Sequence, residues 1–464
     1  MFRDRVVVIF MTLASVMTLV FGSLLIADLT RKEPTQSVIV SGGTSGTQGS
    51  EAATPGTAGG EDTTASVAPG TQTGTTAGKT GGSTGGSKVT TGKVSSAGGA
   101  AQGVTDKEIR VGGIFDITGP LDSTVERDTV RAYFNMVNAQ GGVNGRNLTL
   151  IPCDSKYDAN EAMRCAEKLV NTDKVLTIVG SLAVQGENDA VPAINQMGVP
   201  YIGGLGAPNA FKYPLSYPVS ADFVTYGTAM GTHAARDLGF KKPGIVVLDV
   251  PFIAPALNSM LDALHKYGVK EATVQKPTGT QPDYTTIVLA MRQAGADSIM
   301  TVMDPYSYQR LFDAMQRQNF KPPLLGAGMT KGNLQTSYGE PIKGSQSLSP
   351  FLEPLDPQYK SNPAIRLYLD TVRKYFPNQV SKLDIYTQQS WTAAALFVDV
   401  IKRVGANVSR KALVDGLNAT KNFDIGWTVP LSFQAGNSHD PNRCFRWMKN
   451  DNGTWNTTSD WNCF

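Results

Sequence analysis

The chain has 464 residues, a formal net charge of +3 and 17 % charged residues. With no basic excess to release counterions from a phosphate backbone, an electrostatically driven nucleic-acid binder is excluded. Three histidines in the whole chain argue against a His-based metal or acid–base centre.

At the amino terminus, Arg3 and Arg5 precede an apolar run from Val6 to Ala27. At about 1.5 Å per residue this run reaches about 33 Å as a helix, enough to cross a bilayer. Residues 1–34 therefore read as an uncleaved membrane anchor. A cleaved export signal is the alternative; the length of the run and the lack of a small-x-small site stand against it. No cysteine precedes Cys153, which excludes an N-terminal lipoprotein cysteine. Residues 35–103 read as a linker. Over 41–100, about 47 of 60 residues are Gly, Ser, Thr or Ala and none is aromatic. Such a composition cannot bury enough apolar surface to offset its ordering entropy, so disorder is expected.

From Val104 the texture becomes alternating strands and helices. Ile109–Phe115 reads as a buried strand and Asp116–Pro120 as a turn. Val130, Tyr133, Phe134 and Val137 mark an amphipathic helix that Gly141-Gly142 stops. Strands follow at Leu148–Pro152, Val175–Val179 and Val199–Ile202, with helices over Ala162–Val170 and Ala190–Met197. A second set has strands at Ile245–Leu248, Ala272–Gln275, Ser298–Met303 and Leu324–Gly326. Its helices lie near Phe223–Leu238, Pro255–Tyr267, Tyr284–Gln293 and Tyr308–Gln318. Helices near Ala364–Phe376, Tyr386–Val404 and Arg410–Asn418 come next. Strands at Trp427–Phe433 and Arg443–Lys449 then lead into a hairpin over Asn452-Gly453. Repeated β-α-β-α order predicts an α/β fold with parallel sheets covered by helices on both faces.

Four cysteines in an exported chain permit disulfides. Cys153 ends a strand and Cys165 lies on the next helix. Cys444 and Cys463 flank the Asn452-Gly453 turn almost symmetrically. The spacing predicts Cys153–Cys165 and Cys444–Cys463; a zinc site competes, but no C-x-x-C is present.

No G-x-S-x-G elbow, phosphate-binding loop or H-E-x-x-H occurs. Gly203-Gly204-Leu205-Gly206 approaches a dinucleotide loop, but Asn209 stands where the last glycine belongs. His233 and His265 fall in helices and His439 in a polar loop, and each reads as structural or solvated. With no nucleophile–base pair to assemble, the chain is expected to be no enzyme, with no cofactor and no metal. In open α/β sheets, ligands sit beyond the carboxyl ends of the strands. The loops there are Thr118–Leu121, Leu182–Gln185, Gly204–Ala207, Val250–Ala254, Asp304–Tyr308 and Gly328–Thr330. Their side chains are mostly small, apolar or aromatic, which favours a ligand cleft.

Ile109-Arg-Val-Gly-Gly-Ile-Phe-Asp-Ile-Thr-Gly-Pro120, Asn138-Ala-Gln-Gly-Gly-Val-Asn-Gly-Arg146, Ile178-Val-Gly180 and Gly198-Val-Pro200 follow one another in a characteristic order. With them, Val104–Phe464 resembles type I periplasmic-binding proteins of the branched-chain amino acid (Leu/Ile/Val) group of ABC importers. The resemblance implies two Rossmann-like lobes, a clamshell with three hinge crossovers near Val219, Ser349 and Asp424. Lobe 1 would comprise 104–218 plus 350–423, and lobe 2 would comprise 219–349 plus 424–464. It implies a small-molecule solute bound between lobes, a permease partner, and an exported monomer held at the membrane by the N-terminal segment. The ligand-binding positions it implies are Thr118, Leu182, Ala183, Val184, Gln185, Leu205, Gly206, Ala207, Phe252, Ile253, Asp304, Tyr306 and Met329. Family members that bind free amino acids use hydroxyls where this chain has Val184 and Ala207. They use a carboxylate where it has Gly328 or Met329, and a tyrosine where it has Phe252 or Ile253. An apolar or aromatic solute of low charge is therefore expected, with Asp304 or Gln185 as polar anchor. A membrane-tethered sensor or assembly protein on the same clamshell is the competing reading.

Overall fold

Strand β1 (Glu108–Phe115) lies inside the first sheet, flanked by the edge strand β2 (Asn147–Asp154) and by β3 (Thr177–Val179). Strands β4 (Tyr201–Ile202) and β5 (Ser216–Tyr217) complete the order β2-β1-β3-β4-β5, and every pairing is parallel. The computed structural model describes residues 101–330, 338, 342–436, 439–440 and 442–464. The expected anchor, and the linker up to residue 100, lie outside the described residues. Among the described residues no helix is long and apolar enough to cross a membrane.

Helices α1 (Thr124–Ala139), α2 (Ala159–Glu167), α3 (Glu187–Gln196) and α4 (Pro208–Lys212) alternate with these strands. The chain then enters a second layer through α5 (Phe223–Arg236), β6 (Pro243–Val247), α6 (Ala254–Lys266), β7 (Thr273–Gln275) and α7 (Thr285–Gln293). It continues through β8 (Ser298–Val302), α8 (Pro305–Arg317), β9 (Leu324–Ala327) and β10 (Gln346–Ser349). Helices α9 (Pro363–Tyr375), α10 (Ile385–Val404) and α11 (Arg410–Asn418) follow, then β11 (Cys444–Asp451), β12 (Thr454–Thr457) and β13 (Asn462–Cys463). The second sheet has the order β12-β11-β10-β9-β8-β6-β7, with β13 on β11. Its β6 to β10 pairings are parallel, and β11 turns antiparallel against β10.

Strand periodicity explains the layering. Ile109, Val111 and Phe115 point to one face of β1 and join Val130 and Phe134 of α1 and Leu396 and Phe397 of α10. Ile114 points to the other face and joins Cys165, Leu169, Val191 and Ile194 beside α2 and α3. In the second layer α5 and α6 lie unusually close. A β-carbon on Gly227 or Gly231 would collide with the α6 carbonyls of Ala256 and Met260, so the contact requires glycine.

Both disulfides form as the spacing predicts, Cys153–Cys165 and Cys444–Cys463. The hairpin forms too: Asp451 pairs with Thr454, and Asn452 and Gly453 adopt φ of 51° and 87°. Cys463, however, lies on β13 rather than on the hairpin's return strand β12. The expected strand at Trp427–Phe433 is absent. Only one bridge, Phe423 to Leu431, is made there. Pro430 has no N–H to give a ladder. Trp427 instead packs among Trp391 and Tyr368, with its indole N–H on Thr392 Oγ1 at 3.0 Å. Strand β10, with the polar sequence Gln-Ser-Leu-Ser, gives no apolar signal yet is paired on both edges.

The chain passes between the sheets three times: after β5, after β10 and before β11. Before the last passage it stays with the first sheet. The Phe433 ring meets Tyr217 at 5.5 Å, and the His439 N–H donates to the Phe211 carbonyl at 2.9 Å.

Candidate functional site

The carboxyl ends of the strands face a cavity of about 720 Å3, counting its open mouth. Two walls and a roof enclose it.

The first wall consists of loops after β1, β3 and β4. They are fixed by carboxylates that sequence reading did not single out. Asp116 accepts from Ser155 Oγ at 2.7 Å, the Tyr157 N–H at 3.0 Å and the Val184 N–H at 2.7 Å. Burial nevertheless pushes its pKa up to about 6. Glu187, the first residue of α3, accepts from the N–H groups of Leu205, Gly206 at 3.1 Å and Ala207 at 3.2 Å. Burial pushes its pKa up to about 7. These bonds hold Leu182, Val184 and Leu205 against the cavity. They also engage the backbone N–H groups of Val184, Leu205, Gly206 and Ala207.

The second wall is apolar packing. Leu248 follows β6, Phe252 and Ile253 form the turn into α6, and Val302 and Met303 end β8. The Phe252 ring lies 5.5 Å from Phe223, and Tyr226 lies 4.7 Å from Phe445. Asp304 is the N-cap of α8 and accepts from Ser307 N at 2.8 Å and Ser307 Oγ at 3.1 Å. Its Oδ2 also accepts from the Tyr157 hydroxyl at 2.7 Å, a bond that joins the two walls. Gln185 bonds the same phenol.

The roof is the first turns of α10, which contribute Ile385, Tyr386 and Gln389. Gly328, at φ +84°, lets the roof approach. A β-carbon there would lie 2.5 Å from the Tyr386 hydroxyl.

Of the residues singled out from sequence, Leu182, Val184, Leu205, Phe252, Ile253 and Asp304 line this cavity together. Ala183 turns away into the core beside α2 and α3. Gly206 and Ala207 present backbone N–H groups to Glu187. Thr118 is exposed, its hydroxyl on Asp154 Oδ2 at 2.6 Å. Met329 is buried below the β9 end. Tyr306 is 44 % exposed, under the Arg310 guanidinium at 4.6 Å, and belongs to an outer groove with Pro120 and Lys382. Sequence reading missed Phe223, Tyr226, Tyr386 and Gln389. The i, i+3 pairs at the starts of two helices were the available signal.

Among the described residues, Lys, Arg and His are absent from the cavity lining. Among the described residues no cluster of His, Cys, Asp and Glu is arranged to hold a metal ion.

A two-sheet α/β fold with a largely apolar cavity at its strand ends defines a solute-binding class of protein. Residues 108–454 match the profile of the periplasmic binding protein family, and the chain belongs to that family, in its type I branch. A Leu/Ile/Val-binding protein homolog 7 of Brucella abortus is 24 % identical over 248 residues, 50 % of this chain and 60 % of that protein. The chain spans about half the length of the curated relatives it matches. Two solved structures share the fold. A fatty acid ABC transporter substrate-binding protein from Thermomonospora curvata superposes with a TM-score of 0.69 at 20 % identity, covering 79 % of this chain and 95 % of that one. A branched chain amino acid ABC transporter from Thermus thermophilus with bound valine gives 0.68 at 18 % identity, with coverage of 77 % and 97 %.

Proposed function

We propose that this protein is the extracytoplasmic solute-binding component of an ABC importer. It captures a small, weakly charged, apolar or aromatic solute between its two sheets and delivers it to a permease, with no chemistry on the solute. The observation that carries this reading is the state of the first wall's donors. The N–H groups of Val184, Leu205, Gly206 and Ala207 already serve Asp116 and Glu187. A ligand carboxylate would find these four N–H groups engaged and, among the described residues, no cationic side chain in the lining. An unpaired buried ion costs several kcal/mol, so a free α-amino acid fits poorly.

In this reading the lobes are the two sheets with their helices, and the three passages are hinges. Lobe 1 is 104–218 plus the segment from residue 350. The packing of Phe433 and His439 on the first sheet's edge supports carrying that segment to about residue 440 rather than 423. Lobe 2 is 219–349 plus the C-terminal strands. Residues 1–34 hold this monomer at the membrane, and residues 35–103 let it range outward.

Native mass spectrometry of the purified full chain, followed by denaturation and identification of what is released, tests the reading. A stoichiometric apolar or aromatic compound of low charge is the expected result. Release of a free branched-chain amino acid would overturn the assignment of solute class. An empty protein that answers no metabolite panel by thermal shift would overturn solute capture itself.

A further inference from the structure

Helix α10 meets the cavity with a fixed phase. Asp384 caps it, accepting from the Tyr386 N–H at 3.0 Å and the Thr387 N–H at 2.9 Å. Thr387 then faces the Tyr368 hydroxyl at 2.7 Å, and Ser390 donates to the Gly180 carbonyl at 2.9 Å. Tyr386 and Gln389, three residues apart, share the side that lines the cavity. Neighbouring Gln388 uses its amide donor on the Leu352 carbonyl at 2.8 Å. Gln389 does not. It is 6 % exposed, and its Nε2 has no hydrogen-bond partner among the described residues. A buried amide donor left unmade is costly, and native proteins rarely carry one without a purpose.

The surroundings restrict what can pair with it. Asp304, on the opposite wall, already accepts from Ser307 N, Ser307 Oγ and Tyr157 Oη. With three of its about four lone-pair sites filled, it leaves a ligand ammonium one position on Oδ1. An anionic ligand group would stand near Asp304 and Asp384, both of which act on the Tyr386 phenol, and among the described residues would find no cation in the lining. Burial keeps that phenol protonated, hence a donor.

The geometry points to Tyr386 and Gln389 as the polar anchor of the site, holding the carbonyl oxygen of an otherwise apolar, uncharged solute such as an amide, ketone or lactam. This rests on the reading that the cavity takes the transported solute. The anchor comes from a helix some 200 residues beyond the first wall's loops, and it discriminates by charge.

Four compounds that share one ring test it by calorimetry on the full chain: benzamide, benzoate, benzylamine and toluene. Benzamide is expected to bind at least about tenfold more tightly than the others. Gln389→Leu should cost benzamide about tenfold and leave toluene unchanged, and Tyr386→Phe should cost it less. Since Gln389→Leu removes an unpaired donor, its melting temperature without ligand should equal or exceed that of the parent. Preference for benzoate or benzylamine, equal binding of toluene, no binding by any of the four, or indifference of benzamide to both variants would overturn the anchor. Leu205→Trp, which fills the cavity, separates the two failures. Benzamide binding blocked by it but indifferent to Gln389→Leu ends only the anchor. Binding that survives Leu205→Trp places the ligand elsewhere and ends the cavity reading too.

Discussion

The two walls of the cavity are built on opposite principles. The first is a set of loops whose backbone N–H groups converge on two buried carboxylates, Asp116 and Glu187. The second is side-chain packing around Phe223, Phe252, Tyr226 and Phe445. Polar bracing fixes position but commits its donors and makes the wall sensitive to protons. Apolar packing is indifferent to pH and leaves shape, the determinant of what fits, open to change by single substitutions.

The largest expected effect tests the bracing. Glu187→Ala strands the N–H groups of Leu205, Gly206 and Ala207 and should destabilise the fold by about 4 kcal/mol in urea titrations. A loss below about 1 kcal/mol would mean that the β4 loop holds its shape without the carboxylate.

Proton dependence is next. The folded pKa values of about 6 for Asp116 and about 7 for Glu187 lie above their ordinary 3.8 and 4.5. The folded state therefore binds these protons more tightly than the unfolded chain. The associated stability is fully present below the ordinary values and is lost as pH rises through 6 and 7. Each group accounts for on the order of 3 kcal/mol. Melting temperature should fall from pH 5 to pH 8, and removing either carboxylate should flatten that slope. A flat profile in the parent protein would contradict the bracing account.

On the second wall, Phe252→Ala should cost about 3 kcal/mol through lost packing. Unlike the carboxylate variants, it should leave the pH slope of calorimetric melting unchanged. The smallest effect joins the walls. Tyr157→Phe removes the bond to Asp304 and should cost about 1 kcal/mol. It should also raise the radius of gyration of the ligand-free protein in solution scattering. No change in scattering would mean that this bond does not hold the walls together.

Much of the fold was legible because strands and helices carry their own periods. The buried strand β1 and the Val130–Val137 stripe appear where the sequence places them. The Asn452-Gly453 turn and both disulfides follow from local chemistry. Legibility ended where the deciding contact was non-local. Trp427 reads as part of a strand until Trp391 and Tyr368 are there to receive it. Strand β10 carries no apolar pattern because its neighbours, not its composition, define it. Within the site, the short loops identified their apolar members but not their directions, so Leu182 and Val184 line the cavity while Ala183 does not. Gln389 sits in a helix that is buried on nearly every side. Only the arrangement of distant elements shows that this interior includes the cavity.

The Cys153–Cys165 bond closes a ring of backbone that carries Asp154 and Tyr157. Within it Asp154 receives the Lys156 N–H at 2.9 Å, and Lys156 and Tyr157 hold φ of 55° and 60°. A ring so tied has little freedom left to lose when the walls meet. The ordering entropy of its residues falls on folding and oxidation rather than on each capture of solute. The covalent staple thus acts as preorganisation, favouring affinity through an unchanged loop rather than through any contact with the ligand.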